Sequence, residues 1–552
     1  MRFTVPEKYK LPALFIAFLL IYGSYFCYFG IHGLLPGQID VWYNLGVLRE
    51  YANHINHLFF NTPVGMANYP EGHIYLNGEP SFLSGMLFWV LSLLMNDLWA
   101  YLAMCALFFT LNSFFLSLYL RRLLNSHLSI TFISGLAFSL SAFNLGLLDN
   151  FVYGIFFPFF GALLLLEKWC TDRKTAQLLI AVLLLNLEIY FSVYNFFMGY
   201  LVLAVWLVVY FPRERKTFAV LALSFISLPL IFPYVYLFIL HPSILPEYRD
   251  FFTPQIIAGF SFKGADLLRS FQSNPIYGGM VNGGDRLQNY WHMGNIGLVS
   301  FAFALAGWAL ADKKLKWLTG SLIITGMLFC IGPYWGSSQV KAPFYYLHQW
   351  LPLLAGFKMI FKFYYLVLLC LVICLTVFVN RVVKLMHHKF RVPVSLLCAI
   401  VFLSENLPLN FSEYVLPYSQ LQLNKALREN ESGSILILPS FAPVSSNTEC
   451  FVKGRGYEYR YYYLAYHSHI NLLNGSSSFV PASRKTVDSL LYQLPMNESL
   501  FILRKQFGLT AIVFDKSSTL SCSPYSLEEL KTLLNTTYED SAFALFDLTA
   551  QP

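Results

Sequence analysis

Apolar segments of membrane length recur through the first 409 residues, and they constrain the fold more than any other feature of the sequence. A helix needs about 20 mostly apolar residues to cross the hydrocarbon core of a bilayer, and residues 11–33, 98–120 and 361–383 are runs of that kind. Charged residues make up 12% of the 552 positions, against about 25% in a typical soluble domain. The sequence therefore predicts an α-helical polytopic membrane protein.

Basic residues at the ends of these runs predict the orientation, because Lys and Arg accumulate in short cytoplasmic loops. The run 82–95 has only 14 residues, too few to cross as a helix, so we interpret it as an interfacial or re-entrant helix. Counting it as a span would put Arg121 and Arg122 outside. With this choice the N-terminus is cytoplasmic. The 11 predicted spans are residues 11–33, 98–120, 128–148, 151–166, two within 177–210, 217–240, 295–311, 317–336, 361–383 and 394–409.

The composition changes after residue 409. The last 143 residues carry 11 Lys and Arg with 13 Asp and Glu, whereas the part before them carries 26 and 17. Short β-branched runs at 434–439 and 509–514 predict strands. Residues 485–494 and 526–534 predict helices, the latter opening with a Ser-x-x-Glu capping box.

We therefore divide the chain into a transmembrane domain of residues 1–409 and an extracytoplasmic α/β domain of residues 410–552. In the first domain, residues 34–97, 241–294 and 337–360 are predicted external loops. Cys450 and Cys522 are the cysteines of the second domain. In an exported domain they are either paired or free thiols, and the sequence leaves both open.

The first external loop gathers carboxylates among aromatic side chains. Asp40 follows the first predicted span by a few residues and precedes Trp42 and Tyr43. Partial burial at that surface raises the pKa of a carboxyl group, which suits a general base that deprotonates an acceptor hydroxyl or amine. The alternative is that Asp40 caps the following helix. A turn at residues 68–72 presents Glu71 in the same loop.

A metal site in this loop is only weakly indicated. Glu50, His54 and His57 lie within about two turns of a predicted helix, but the polar face of an interfacial helix explains them better. The chain has no Cys-x-x-Cys pair, and no Asp-x-Asp pair follows the first span. The sequence therefore indicates no cofactor and no metal ion.

Further charged residues fall at the predicted outer ends of the spans, where polar groups are costly and often functional. Asp149 and Glu188 are predicted to share that leaflet with Asp40. Lys358 and Lys362 are spaced i, i+4, so an anion between their ammonium groups is stabilising and a lipid phosphate fits. Lysines that extend toward the interface are the alternative. The long external loop adds weaker candidates for phosphate binding, which are Arg249, Lys263, Arg269 and Arg286.

The order of these features resembles the GT-C-type bacterial multi-span membrane glycosyltransferases, in a poorly characterised branch related in layout to polyprenyl-phosphate-sugar-dependent transferases. The similarity covers nearly the whole length, in short segments. They are Asp40-Val-Trp42, Tyr69-Pro-Glu-Gly72, LRRLL at 120–124, Phe191-Ser-Val-Tyr194, FKMIFKF at 357–363, Asn474-Gly475 and Phe479-Val-Pro481.

The resemblance implies a GT-C-like bundle that transfers a hexose or pentose from a polyprenyl-phosphate donor on the extracytoplasmic face. The acceptor is a glycolipid, a cell-surface glycan or a protein. The expected location is a bacterial inner or plasma membrane. Membrane lipids are therefore expected partners. Asp40 is then the catalytic base. The substrate- or donor-binding residues are Glu71, Asp149, Glu188, Lys358, Lys362, Arg249 and Arg286.

The sequence departs from the family pattern in two features. Lys358 and Lys362 stand where Arg pairs are usual, and Lys binds phosphate as a point charge, not bidentately. Leu148 stands where the family often has His.

A non-enzymatic transporter or assembly protein for lipid-linked glycan or polysaccharide is the alternative. It predicts ionisable residues along a path through the spans, whereas the polar groups concentrate at the outer ends. A third interpretation assigns glycan binding to the aromatic run 457–466 with His467 and His469. No Lys- and Arg-rich run with interleaved aromatics indicates a nucleic-acid partner.

Overall fold

The computed structural model describes most of the chain. The described residues are 7–36, 40–53, 82–148, 150, 154–210, 253–263, 266–267, 269–270, 274–277, 293–335, 340–350, 357, 359–408, 415–417, 427, 433–439, 461, 463–465, 467–474, 482–516, 525–541 and 543–548. The chain divides into two compact units. The first comprises Met1–Ile31 and Leu102–Val415, and the second comprises His32–Tyr101 and Leu416–Pro552.

The first unit is a bundle of apolar helices. They are Glu7–Ile31, the part of Asp97–Leu124 from Leu102 onward, Leu128–Ser139, Ala142–Gly146, Phe157–Asp172, Thr175–Leu187, Val193–Tyr210, Pro254–Gly259, Leu298–Leu310, Lys313–Ile331, Pro343–Trp350, Tyr364–Leu385 and Arg391–Asn406. Short 3-10 turns cover Glu188–Tyr190, Ile360–Phe363 and His388–Phe390.

Six helices in the described part of the chain are long and apolar enough to cross a membrane, so the protein is an integral membrane protein. They are Tyr9–Ile31, Asp97–Leu124, Leu128–Gly146, Val193–Tyr210, Lys313–Ile331 and Ile360–Leu385. The hairpin expected within 177–210 is present, with its turn at Glu188–Tyr190. The total of 11 spans stays a prediction, and the span expected at 217–240 lies outside the described residues.

The short apolar run 82–95, within the first external loop, forms the helix Phe82–Ser92, which has 11 residues. At 1.5 Å per residue this helix is about 17 Å long, well short of the roughly 30 Å of hydrocarbon in a bilayer. Its length agrees with our interpretation that this segment does not cross.

The helix Tyr364–Leu385 is the core of the first unit, because nearly all of its side chains are buried. The helix Leu298–Leu310 approaches it closely at Gly307, where an added Cβ would collide with the carbonyl oxygen of Cys374. Spanning helices gain little from the hydrophobic effect in lipid, so contact at small residues is a main source of their association.

The second unit contains a five-stranded sheet. In spatial order its strands are Asn471–Leu472, Ser434–Leu438, Leu509–Asp515, Phe543–Asp547 and Asn535–Glu539. The first three strands run parallel and the last two pair antiparallel. The other elements of this unit are the helices Asp40–Asn53, Phe82–Ser92, Ala482–Gln493, Met496–Phe507 and Leu527–Leu533, with a separate two-stranded pairing of Leu34–Pro36 and Val415–Pro417.

The position of the strand Ser434–Leu438 in the sheet explains why its sequence is a nearly continuous apolar run. Leu436 and Leu438 enter one apolar cluster, and Ile435 and Ile437 enter another. Because side chains alternate between the two faces of a strand, the sheet is covered on both faces. A strand buried on both faces needs apolar residues at every position.

The local elements expected after residue 409 are present where the structure describes them. The strands expected at 434–439 and 509–514 are confirmed. The expected capping box is also confirmed, because the Ser526 N–H donates to Glu529 Oε2 at 2.7 Å and the Glu529 N–H donates to Ser526 Oγ at 3.2 Å. The domain boundary at 409/410 stays a prediction, and Cys450 and Cys522 lie outside the described residues.

Candidate active site

The expected base lies on a packed helix of the second unit. The helix Asp40–Asn53, called the first-loop helix below, begins at Asp40. Its residues Leu45 and Leu48 are 0% and 1% exposed. Near its end Tyr51 lies against Gly85, where an added Cβ would be 2.6 Å from the Tyr51 Cβ. The helix that begins at Asp40 is therefore held in place by the core contacts of its later residues.

Asp97 joins the first-loop helix to the C-terminal part of the same unit. Arg49 Nη1 lies 3.4 Å from Asp97 Oδ1, and His467 Nδ1 lies 3.1 Å from Asp97 Oδ2. The Tyr463 hydroxyl donates to Oδ2 at 3.0 Å. The Asp97 side chain is 5% exposed, and salt screens such a buried pair weakly. We call Arg49, Asp97, Tyr463 and His467 the Asp97 cluster.

The Asp97 cluster extends to the beginning of the first-loop helix through an aromatic contact. The ring centroids of Trp42 and Tyr463 lie 5.3 Å apart, and Trp42 is two residues from Asp40. Tyr461 and Tyr463, from the aromatic run considered for glycan binding, are 0% and 3% exposed. These two rings are therefore core groups and offer no surface for stacking on a sugar.

In the first unit, two of the segments that carried the family resemblance contact each other. Lys362 Nζ lies 4.5 Å from the centroid of the Tyr194 ring, and the Met359 N–H donates to the Tyr194 hydroxyl at 2.9 Å. The Phe357 ring packs edge-on against Tyr194 with centroids 4.7 Å apart. Lys362 is fully buried, so its ammonium is held inside the bundle by a cation–π contact. Lys358 lies outside the described residues.

Glu188 is buried in the first unit, where it caps another helix. Its Oε1 accepts a hydrogen bond from the Phe159 N–H at 2.9 Å, in the first turn of Phe157–Asp172. The chain just before that helix is held by two amides. Asn112 Nδ2 donates to the Gly154 carbonyl at 2.5 Å, and Asn195 Nδ2 donates to the next carbonyl at 2.7 Å. This contact of Glu188 is structural, and its role in donor binding stays a prediction.

The other expected site residues divide into two groups. Glu71, Asp149, Arg249 and Arg286 lie outside the described residues, as do His54 and His57. Arg269 pairs with Asp266 at 3.0 Å, and Lys263 is exposed. Within the described ranges, no group of three His, Cys, Asp or Glu side chains is arranged to hold a metal ion.

Glu405 organises a second polar centre of the first unit that sequence analysis did not single out. Its carboxylate accepts from the Val299 N–H at 2.8 Å, the Ser300 N–H at 3.0 Å and the Ser300 hydroxyl at 2.6 Å. The Tyr277 hydroxyl donates to it as well. Burial, and then this bond to Glu405, raises the pKa of Tyr277 to about 12. The carboxylate thus caps the helix Leu298–Leu310. The sequence signal for this polar centre was an acidic residue inside a predicted span.

Comparison with solved structures shows that the fold is similar to those of AftD and ArnT. The cryo-EM structure of the arabinofuranosyltransferase AftD from Mycobacteria matches with a TM-score of 0.57 and 13% identity, covering 99% of this chain and 40% of the AftD chain. The crystal structure of ArnT from Cupriavidus metallidurans in the apo state matches with a TM-score of 0.51 and 12% identity, covering 97% of each chain. The chain thus spans 40% of AftD's length. No family model and no curated protein sequence matches it.

Proposed function

We propose that the protein is a membrane glycosyltransferase that moves a hexose or pentose from a polyprenyl-phosphate donor to an acceptor on the extracytoplasmic face. The acceptor is a glycolipid, a cell-surface glycan or a protein. The observation that carries the proposal is the GT-C fold match over 97% of this chain and 97% of ArnT. Since one fold can host several functions, the proposal also depends on its residues.

In the proposed reaction Asp40 takes the proton of the acceptor hydroxyl or amine as that group attacks the anomeric carbon of the sugar. The bond between that carbon and the donor phosphate breaks, and the polyprenyl phosphate leaves with the negative charge. Lys358 and Lys362 stabilise this charge as it develops. Glu71, Asp149, Glu188, Arg249 and Arg286 complete the proposed binding site. The packing of the first-loop helix and the contact between Lys362 and Tyr194 support these roles.

The proposed orientation is a cytoplasmic N-terminus and an extracytoplasmic C-terminal domain in a bacterial inner or plasma membrane. Basic residues at the predicted cytoplasmic ends of the spans support this orientation. A cysteine introduced at the exposed position Phe501, which is 66% exposed, reports the side. A membrane-impermeant thiol reagent is expected to label it in intact spheroplasts, and labelling only after lysis would reverse the orientation.

The function is tested by comparing the glycolipids and surface glycans of a strain lacking the gene with those of the same strain complemented by the wild type. We expect one glycan to lose a single sugar in the deletion strain and to regain it on complementation. A transporter predicts a different result, in which the complete lipid-linked glycan accumulates without reaching the surface. That outcome would replace the proposal with the alternative function.

A further inference from the structure

The helix Pro343–Trp350 lies between two helices of the first unit that are able to cross a membrane, Lys313–Ile331 and Ile360–Leu385. A connection between consecutive spans remains at one face of the bilayer. The Phe344 ring, 1% exposed, packs against Phe329 with centroids 5.7 Å apart. Phe329 is two residues from the end of its span, so Pro343–Trp350 lies at the depth where that span leaves the hydrocarbon.

The opposite face of this helix is an exposed aromatic stripe. Pro343, Tyr346 and Trp350 follow one another at spacings of three and four residues, which places them on one helix face. Tyr346 is 43% exposed and Trp350 is 73% exposed, and their ring centroids lie 5.9 Å apart. The helix is therefore amphipathic, with Phe344 toward the bundle and the two large rings pointing away from it.

Two more exposed apolar side chains precede this helix in the sequence. They belong to residues that share a backbone hydrogen bond, in which the Trp335 N–H donates to the Val340 carbonyl at 3.0 Å. Trp335 is 43% exposed and Val340 is 62% exposed. Four exposed apolar side chains thus follow the end of the span Lys313–Ile331 in the sequence. We call Trp335, Val340, Tyr346 and Trp350 the aromatic platform.

We propose that the aromatic platform contacts the lipid bilayer at the boundary between headgroups and acyl chains, and that Pro343–Trp350 is an interfacial helix lying flat on that boundary. Three observations carry this assignment: the depth set by Phe344 on Phe329, the one-sided exposure of the stripe, and its residue types. Trp and Tyr are enriched at membrane interfaces because one part of each ring is apolar and the other reaches water. A short amphipathic helix with such a face binds in the plane of the interface.

The bilayer, rather than a second copy of the chain, covers the aromatic platform in this proposal. The platform begins at Trp335, four residues after the span Lys313–Ile331 ends, and that span exposes apolar side chains such as Ile324, which is 62% exposed. The lipid that covers that helix in a membrane therefore reaches the platform without a further partner. This inference is independent of sugar transfer and stands if the proposed activity is wrong.

Depth-dependent quenching of Trp350 fluorescence tests the proposal with the full chain in phosphatidylcholine bilayers. Bromine is placed on the acyl chains either close to the headgroup or near the chain ends, and the difference between wild type and Trp350→Phe isolates Trp350 among the 10 tryptophans. We expect shallow bromine to quench this difference emission more than deep bromine does. The matched control is Trp206→Phe, which removes a tryptophan that is 1% exposed, and whose difference emission neither lipid quenches.

Two results would overturn the proposal. Difference emission that ignores both brominated lipids but is quenched by aqueous acrylamide would place Trp350 in water. Emission that neither acrylamide nor brominated lipid reaches would show that protein, such as a second copy, covers the platform. If Trp350→Phe does not fold, Tyr346→Trp gives a second readout. The added tryptophan is expected to be quenched by shallow bromine, and its insensitivity would count against the interface equally.

Discussion

His467 Nδ1 lies 3.1 Å from Asp97 Oδ2, although 370 residues separate the two side chains in the sequence. Arg49 approaches the other oxygen of the same carboxylate at 3.4 Å. One buried acid therefore connects the helix that begins at Asp40 with a segment near the C-terminus, inside the second unit. This connection explains how residues 32–101 and 416–552 form one compact body.

We predict that Asp97→Asn lowers the stability of the protein. The amide keeps the shape of the side chain but loses the charge that Arg49 and His467 face, and weakening a buried charged hydrogen-bond partner costs about 1–3 kcal/mol. The midpoint of thermal unfolding in detergent measures the effect. The control is Asp172→Asn, where an exposed acid bonds Thr171 and Gln177 on the surface. Equal midpoints for the two variants would show that the Asp97 cluster contributes little.

The Tyr277 hydroxyl is expected to make the stability depend on alkaline pH. Burial and its bond to Glu405 raise the pKa of Tyr277 from 10.0 to about 12. The unfolded chain therefore loses this proton near pH 10, and the folded chain keeps it until about pH 12. Stability from the protonated phenol is fully present below pH 10 and is lost as the pH rises through the folded value. Chemical denaturation across this window is expected to give a steeper decline for wild type than for Tyr277→Phe, whereas parallel declines would contradict the coupling.

Close helix packing at Gly307 predicts a large effect of a single methyl group. In Gly307→Ala the new Cβ collides with the backbone of Cys374, so Leu298–Leu310 must move away from the core helix, and overpacking of this kind costs about 1–3 kcal/mol. Gly320→Ala is the matched control, because its nearest neighbour is the Trp308 Nε1 at 4.0 Å and alanine is the better helix former. Lower thermal stability for the first variant alone is the expected result. Similar midpoints would show that the two helices separate at little cost.

The contact between Lys362 and Tyr194 leads to a prediction about transfer. In Lys362→Met the ammonium is lost while the apolar stem remains, so the proposed site loses a positive charge for the donor phosphate and transfer is expected to fall with a raised KM for the donor. The control is Lys341→Met, which removes an exposed ammonium 4.4 Å from the Tyr345 ring. Lys362→Arg, which keeps the charge, is expected to recover part of the activity. An unchanged donor KM in Lys362→Met would remove this residue from the proposed phosphate site.

Sequence patterns predicted the features that depend on neighbours along the chain. The capping box at Ser526, the turn at Glu188–Tyr190 and the short helix Phe82–Ser92 each follow from a few adjacent residues. The span predicted at 295–311 is shorter in the structure, because Gly297 has φ +90 and Leu298–Leu310 begins only after it. The apolar pattern of the sequence does not change at such a break in the helix, so the break could not be predicted from that pattern.

The polar clusters could not be predicted, since each joins residues that are distant in sequence. Arg49 is the one Lys or Arg residue in the sequence of the first external loop, residues 34–97, but no neighbouring residue links it to Asp97 or His467. Glu405 was visible as an acid within a predicted span, yet its partners Ser300 and Tyr277 precede it by 105 and 128 residues. Tertiary packing selects such partners, and a single sequence records only their residue types.

The most direct test of the central claim is sugar transfer by Asp40→Asn in membranes, measured beside wild type and Asp40→Glu. If Asp40 is the general base, transfer falls by about 100-fold or more, and Asp40→Glu retains measurable activity because it keeps a carboxylate. The thermal midpoint of Asp40→Asn is expected to match wild type, which would separate lost chemistry from lost folding. Wild-type rates of transfer by Asp40→Asn would contradict the assignment of the base and the mechanism built on it.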